Sequence, residues 1–426
     1  MAGSIVSRYY TVLSMRNLKH LAPVLISSGI LLAGNGLQGT LITVRANMEG
    51  FSPAIIGLIG ASYYLGFMLG CRYAPPLITA VGHIRVYAAF AAIGAVGALT
   101  MSLAVGEMSW MAIRFVMGVV FAGLSMVTES WLNERAGSKN RGRVLGLYRT
   151  VDLAAVTGGQ FLLPIVGPQG SEIFAVVAIF FCLALVPVAL SRSPSPKPPK
   201  AHDIRLTMIW QVSPLAAIGV LTIGLTNSAF RIIGPLYAGK LGFDVLQVAL
   251  FMSAGIIGGA IMPLPLGWLS DRFDRRWVII AATGGAAAAG MFLSSLAAQS
   301  PQLIYAGSFL FGAFALPLYS LSIAHANDFA KPGDFIDVAA GLLFLFAIGA
   351  AVGPFAASLV MELYGPAAVF IYTTVIHSAL VVFVLYRMMI RPSVPRSKRK
   401  SFVAFMRTSP AIFGLGRRSN NSGADE

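Results

Sequence analysis

Long stretches of this chain contain no Asp, Glu, Lys or Arg, and that feature limits the fold more than any motif does. Uncharged runs cover 21 to 44, 50 to 71, 86 to 106, 153 to 171, 173 to 191, 206 to 230, 245 to 270, 338 to 361 and 363 to 386. A helix rises about 1.5 Å per residue, so about 20 apolar residues cross a hydrocarbon core roughly 30 Å thick. Such runs must be helical, because a backbone in lipid has no water to satisfy its amides. The run from 277 to 330, with Asp328 its only charge, has 54 residues, enough for two spans, with a break expected at Gln299, Ser300, Pro301 and Gln302. One more span runs from about 110 to 131, interrupted only by Arg114 and ending at Glu129. Charged residues make up 11% of the chain and mean hydropathy is +0.77, whereas soluble domains carry about a quarter charged residues. The polar coat of a soluble fold cannot be built. The expected fold is an all-α membrane protein with twelve transmembrane helices.

The basic residues are placed asymmetrically. With the amino terminus in the cytoplasm, 26 of the 31 Lys and Arg fall in cytoplasmic segments and only Arg45 and Lys240 fall outside, while Arg114, Arg149 and Arg231 lie within spans. Both termini are therefore expected in the cytoplasm. The first span is too long for the apolar region of a secretory signal and is expected to stay attached. The formal net charge of +15 does not point to nucleic acid, because the charges are scattered over short loops and a tail. Membrane lipid is the expected surrounding. The tail contains Lys398, Arg399 and Lys400 followed by Phe402, Phe405 and Met406, which suits either a basic amphipathic stretch on anionic headgroups or a disordered tail. Cys71 and Cys182 supply neither a disulfide framework nor a metal site.

A proline-rich linker, 191 to 213, separates six spans from six. The expected organisation is an arm over 1 to 20, a six-helix bundle over 21 to 190, the linker, a second bundle over 214 to 390 and a tail from 391 to 426. Gly349, Gly353 and Pro354 in the eleventh span correspond in position to Gly158, Gly159 and Gln160 in the fifth, as two duplicated halves would require. The connection after the eighth span reads Gly267-Trp268-Leu269-Ser270-Asp271-Arg272-Phe273-Asp274-Arg275-Arg276. Its arginines hold the loop in the cytoplasm and offer forks for carboxylates, and Asp271 can accept from neighbouring helix ends.

This loop resembles the GxxxDRxxRR signature of the major facilitator superfamily, and Asn140-Arg-Gly-Arg-Val-Leu-Gly-Leu147 resembles that superfamily's entry into its fifth helix. Arg114-Phe-Val-Met-Gly118, Glu129-Ser-Trp-Leu132, Ala324-His-Ala-Asn-Asp328, Gly341-Leu-Leu, Gly353-Pro354 and Gly365-Pro366 are similar to the YcaD-like branch. The resemblance implies two six-helix halves that expose a central cavity alternately to each side. In the first half the counterpart loop, Gly70 to Arg85, has no acid at the aspartate position.

Charges inside spans are expensive unless paired or hydrated, which makes them candidate functional groups. Arg149 and Asp152 lie three apart on the fifth helix, with Asp152 roughly 14 Å beyond Arg143. An aspartate poised between desolvation and a neighbouring arginine can exchange a proton for its partner, so the pair is a candidate for proton coupling or, alternatively, a permanent neutral pair. The resemblance implies a part in proton movement for Arg114, and snorkelling is its alternative. Glu129 is expected to close a gate with Arg141 or Arg143, and Gly267, Asp271, Arg272, Arg275 and Arg276 belong to the loop latch. The first and seventh helices line the cavity in this superfamily, which makes Asn35 and Gln38, and Asn227 and Arg231, candidates for solute contact. Arg231 would be a counter-charge for an anion, and Tyr319 and Ser320 could add hydrogen bonds.

Other patterns carry less. Gly34-Asn-Gly-Leu-Gln-Gly39 fits a dinucleotide fingerprint but has no strand before it, so close helix packing is expected. His325 and Asp328 are too few for a metal and suggest a loop cap, while His377 is expected to hydrogen-bond within the bundle. No cofactor and no P-loop are expected. The expected protein is not an enzyme. It is a monomeric secondary transporter of a small solute in the cell's inner membrane, driven by protons, with antiport and efflux ahead of symport of a possibly anionic solute. A transport-inactive receptor or assembly factor is the rival of another class.

Overall fold

A computed structural model describes residues 15–191, 206–295, 300–331, 334–395, 399 and 402; the side chains of 15–20, 133, 135–143, 145 and 336 lie outside that description. Regular structure among the described residues is helical: α1 Met15–Met48, α2 Pro53–Val81, α3 His83–Leu103, α4 Glu107–Gln160, α5 Leu162–Val166, α6 Glu172–Ala189, α7 Leu206–Val212 and α8 Pro214–Lys240. There follow α9 Val245–Ile261, α10 Pro263–Arg272, α11 Arg275–Ser295, α12 Pro301–Ala315, α13 Leu318–Phe329, α14 Phe335–Tyr364 and α15 Ala368–Ile390. Eleven segments of described residues are long and apolar enough to cross a bilayer.

The remaining span lies within α4. Arg114 and Gln160 belong to this one helical run, and a straight rod would hold them about 70 Å apart. Yet Arg114 bonds Gln38 while Gln160 bonds Thr40, two residues further along α1. The run must double back. Glu129 and Tyr148 act on one another electrostatically, which places the reversal between them. The ascending limb, with α5, is the span expected over 153 to 171; it begins earlier and stops at Gly167, whose φ of 86° suits glycine.

Local chemistry sets the other boundaries. Ser213 caps α8 by accepting from the Ala216 amide, and Pro214 takes the first helical position, so the run expected over 206 to 230 divides into α7 and α8. Proline also breaks single spans into α9–α10 at Pro263 and α12–α13 at Pro317. Ser300 and Pro301 open α12, where the long apolar run is expected to restart.

Small residues decide which helices touch. In the first half, a Cβ on Gly36 would lie 2.9 Å from the Val156 Cα, and Gly159 meets the backbone of Ala33. In the second half, Gly349 and Gly353 meet Leu225 in the corresponding pair, α8 with α14. The halves join at one end: Thr43 Oγ1 donates to the Ile232 carbonyl at 2.8 Å, the Ala54 amide donates to Glu362 Oε2 at 2.9 Å, and Gly57 packs against the Pro354 carbonyl. By position along α1, α2 and α14, this is the end opposite the basic connections.

Candidate functional site

The polar groups of the first half converge because two glycines bring α2 onto the descending limb of α4. A Cβ on Gly118 would lie 2.7 Å from the Phe67 amide, and one on Gly66 would lie 3.1 Å from the Phe115 Cα. This contact sets Tyr63 beneath Arg114, whose guanidinium lies 4.2 Å from the ring centroid. Arg114 Nη1 also donates to Gln38 Oε1 at 3.3 Å, and Gln38 Nε2 lies 3.0 Å from Met117 Sδ. Tyr63 in turn donates to Asn35 Oδ1 at 3.1 Å. Arg114 is 3% exposed and has no acidic partner among the described residues.

From the second half, Arg231 lies near enough for its charge to act on Arg114 and Tyr63. Asn227, one turn earlier on α8, is buried, and its Nδ2 has no hydrogen-bond partner among the described residues. The sequence-derived solute candidates Asn35, Gln38 and Arg231 thus surround Arg114, which the sequence places with the proton-coupling group. Tyr319 and Ser320 are buried on α13, with Tyr319 edge-on to Phe346 of α14 at 5.4 Å. Tyr63 is absent from the sequence-derived candidates because an aromatic in an apolar helix does not reveal its face. Its only signal is the Tyr63–Tyr64 pair itself.

Arg149 and Asp152 form a pair on one helix face, Nη1 to Oδ2 at 2.8 Å. Val151 packs beside Gly29, nine residues before Gln38 on α1, so this pair sits about 14 Å from the Arg114 cluster, toward the basic end. Glu129 is fully buried and acts electrostatically on Cys71 and Tyr148. The side chains of Arg141 and Arg143, its expected gate partners, lie outside the described residues.

At the basic end of the second half, the Gly267–Arg276 loop is locked by its arginines. Arg275 is 1% exposed; its Nε donates to Asp328 Oδ2 and its Nη1 to Ser270 Oγ, both at 2.6 Å, with Asp271 at 3.4 Å. Asp328 is therefore the counter-charge of a buried arginine rather than the expected loop cap. Arg276 grips Asp274 with Nε and Nη2, and Arg272 lies over the Trp268 ring at 3.8 Å. Burial alone would raise the Asp274 carboxyl. The hydrogen bonds from Arg276, with its charge, outweigh this and hold the group below the usual carboxylate range. Asp271 accepts from the Phe402 amide at 2.9 Å, and the Phe402 ring covers Gly267, so Phe402 seats on the loop. His377 shares a 3.0 Å hydrogen bond with Thr283. No cluster of three or more potential metal ligands occurs among the described residues.

Comparison with known proteins gives this geometry a family. The model described as Major Facilitator Superfamily matches residues 24–263 and 216–418. An uncharacterized MFS-type transporter, YcaD, from Escherichia fergusonii is 25% identical over 352 residues, covering 82% of this chain and 91% of that protein. YcaD of Shigella flexneri matches over the same shares. The crystal structure of the nucleoside transporter NupG superposes with a TM-score of 0.71 at 13% identity, over 86% of this chain and 98% of that one. A bacterial homolog to the human lysosomal transporter Spinster, inward-facing and occupied, gives 0.69 at 13% identity over 89% and 98%. At such identity these structures speak for the fold alone. Because the family model matches nearly the whole chain and the helices carry the expected halves, the chain belongs to the major facilitator superfamily and is a membrane transporter of that type.

Proposed function

We propose that this transporter moves a small organic anion by alternating access, with Arg114 as the counter-charge and a proton travelling with the solute through Asp152. The observation that carries this reading is a guanidinium, 3% exposed and held by Gln38 and Tyr63, without an acidic partner among the described residues. A charge in a span costs about 2.5–3.5 kcal/mol on insertion scales, and a carboxylate or phosphate entering the site offsets that cost. Arg231 adds a second positive group from the other half, so one anion is held by both bundles. The joined end near Thr43 and Glu362 leaves the basic end as the side of entry or release, which charge retention places in the cytoplasm of a cell whose inner membrane holds the protein.

An inside-negative potential opposes entry of a lone anion by about 2.3 kcal/mol per charge at 100 mV, and a co-moving proton cancels that term. Asp152, paired to Arg149 and 8% exposed, is the proposed carrier. Proton antiport with efflux is the second reading, favoured by the match of Arg114 to the superfamily's fourth-helix arginine. The test is a thermal-shift screen of purified protein against organic carboxylates, phosphate esters and cationic dyes on either side of neutral pH. Hits are expected among the anions and lost in Arg114→Gln. Stabilisation by cationic dyes alone overturns the anion reading, and binding without saturable flux in proteoliposomes favours a transport-inactive receptor.

A further inference from the structure

A second concentration of positive charge lies at the basic end, away from the Arg114 site. A cleft there is lined by Ser213, Arg276, His325, Phe329, Arg387 and Arg391. The cleft is small and partly open to solvent, a groove at the surface rather than an enclosed organic-ligand pocket. Of its three arginines, only Arg276 is neutralised among the described residues, by Asp274. Arg391 gives Nη1 to the Val212 carbonyl at 2.8 Å and lays its guanidinium 3.8 Å from the Phe329 ring centre. Arg387 stands one turn earlier on α15, and neither it nor Arg391 has an acidic partner among the described residues. Burial, then the Arg387 charge, lowers the pKa of the Arg391 guanidinium, as expected for like charges that share a cleft. The first turn of α8 opens onto the same place through Ser213 and adds the positive end of a helix dipole.

Retention of basic residues on one side of a membrane accounts for arginines at this end, but not for two converging on one cleft that has no carboxylate in its lining among the described residues. Depth is marked by aromatics. Trp210, Trp277 and Tyr386 are all more than half exposed at this end, as in the belts that sit at headgroup level. Basic pockets between helix ends at that depth suit anionic headgroups.

We propose that the cleft between Arg387, Arg391 and the start of α8 binds a phosphate group, presented by an anionic phospholipid or as free phosphate. Bound there, the phosphate would bridge α8, α11, α13 and α15. Guanidinium forks hold a phosphate by paired hydrogen bonds, which a scattered surface charge does not provide.

The test uses the full chain purified in detergent. Binding is read by thermal shift and native mass spectrometry with phosphatidylglycerol, phosphatidylcholine, and inorganic phosphate against chloride at matched ionic strength. The wild type is expected to bind phosphatidylglycerol or inorganic phosphate at least about tenfold more tightly than phosphatidylcholine or chloride, respectively. Arg387→Gln/Arg391→Gln is expected to lose about tenfold or more, while Arg272→Gln, at the same end but stacked on Trp268, stays within about twofold. Binding of the lipid without free phosphate identifies a headgroup site; binding of free phosphate identifies a small-anion site. If the double variant does not fold, Arg387→Gln alone decides, since the Arg387 side chain makes no hydrogen bond among the described residues and its carbonyl contact with the Arg391 amide is kept. Equal binding of both lipids with no phosphate effect, or variants that bind like wild type, overturns the proposal.

Discussion

At the residue scale, Arg114 shows how a charge without a counter-charge becomes informative. Because Tyr63 and Gln38 are geometric partners of a planar fork, Arg114→Lys is expected to lower transport of the bound anion by about tenfold or more, and Arg114→Gln to abolish it. Initial rates in proteoliposomes check this, and wild-type rates in either variant would remove the counter-charge role. Arg275 and Asp328 are the opposite case, a pair buried at 2% and 3% exposure. Either single alanine is expected to cost about 3–5 kcal/mol in unfolding measurements, with Arg275→Met/Asp328→Leu recovering much of it. Asp274 adds a pH signature. Its carboxyl lies below the ordinary range in the fold, so the stability it confers is present above the unfolded pKa and is lost as pH falls through the folded value. Unfolding temperatures of the wild type and Asp274→Asn should therefore differ near neutrality and converge in acid. The sequence exposes Arg114, Arg149 and Asp152 because charge in an apolar run is conspicuous. It conceals Tyr63 and the Arg275–Asp328 pair, whose partners are 51 and 53 positions apart and meet only after folding.

At the scale of elements, span lengths follow from charge-free runs, but helix ends follow from caps and prolines. The run over 206 to 230 reads as one span until Ser213 and Pro214 divide it, and the fifth span reads short because Arg149 and Asp152 interrupt its apolar pattern. Small residues then choose partners. A Cβ on Gly57 would lie 2.8 Å from the Pro354 carbonyl oxygen, so Gly57→Val is expected to push α2 from α14 at the joined end. Overpacking of this kind costs about 1–3 kcal/mol. In a Cys71→Ser/Cys182→Ser background, Ile232→Cys should react faster with a membrane-impermeant maleimide once Gly57→Val is added. Unchanged or slower labelling would show that α2 and α14 do not seal that end.

At the scale of the whole molecule, the same close approach recurs in each half, Gly159 beside Ala33 and Gly353 beside Leu225. Each bundle is thus braced internally, while the described hydrogen bonds between bundles gather near Thr43 and Glu362. That division suits two rigid bodies rocking about a shared site. The seating of Phe402 on Gly267 was not legible in sequence, since a basic tail with aromatics serves a lipid surface equally well. Likewise, nothing in the linear pattern places Arg231 beside Arg114 across the two halves. The most direct measurement is accumulation of organic anions by proteoliposomes under an inward proton gradient. At least one carboxylate or phosphate ester should accumulate with wild-type protein, with Arg114→Gln abolishing the flux and Asp152→Asn abolishing its dependence on the gradient. Flux confined to cations, or anion flux undiminished in Arg114→Gln, would contradict it.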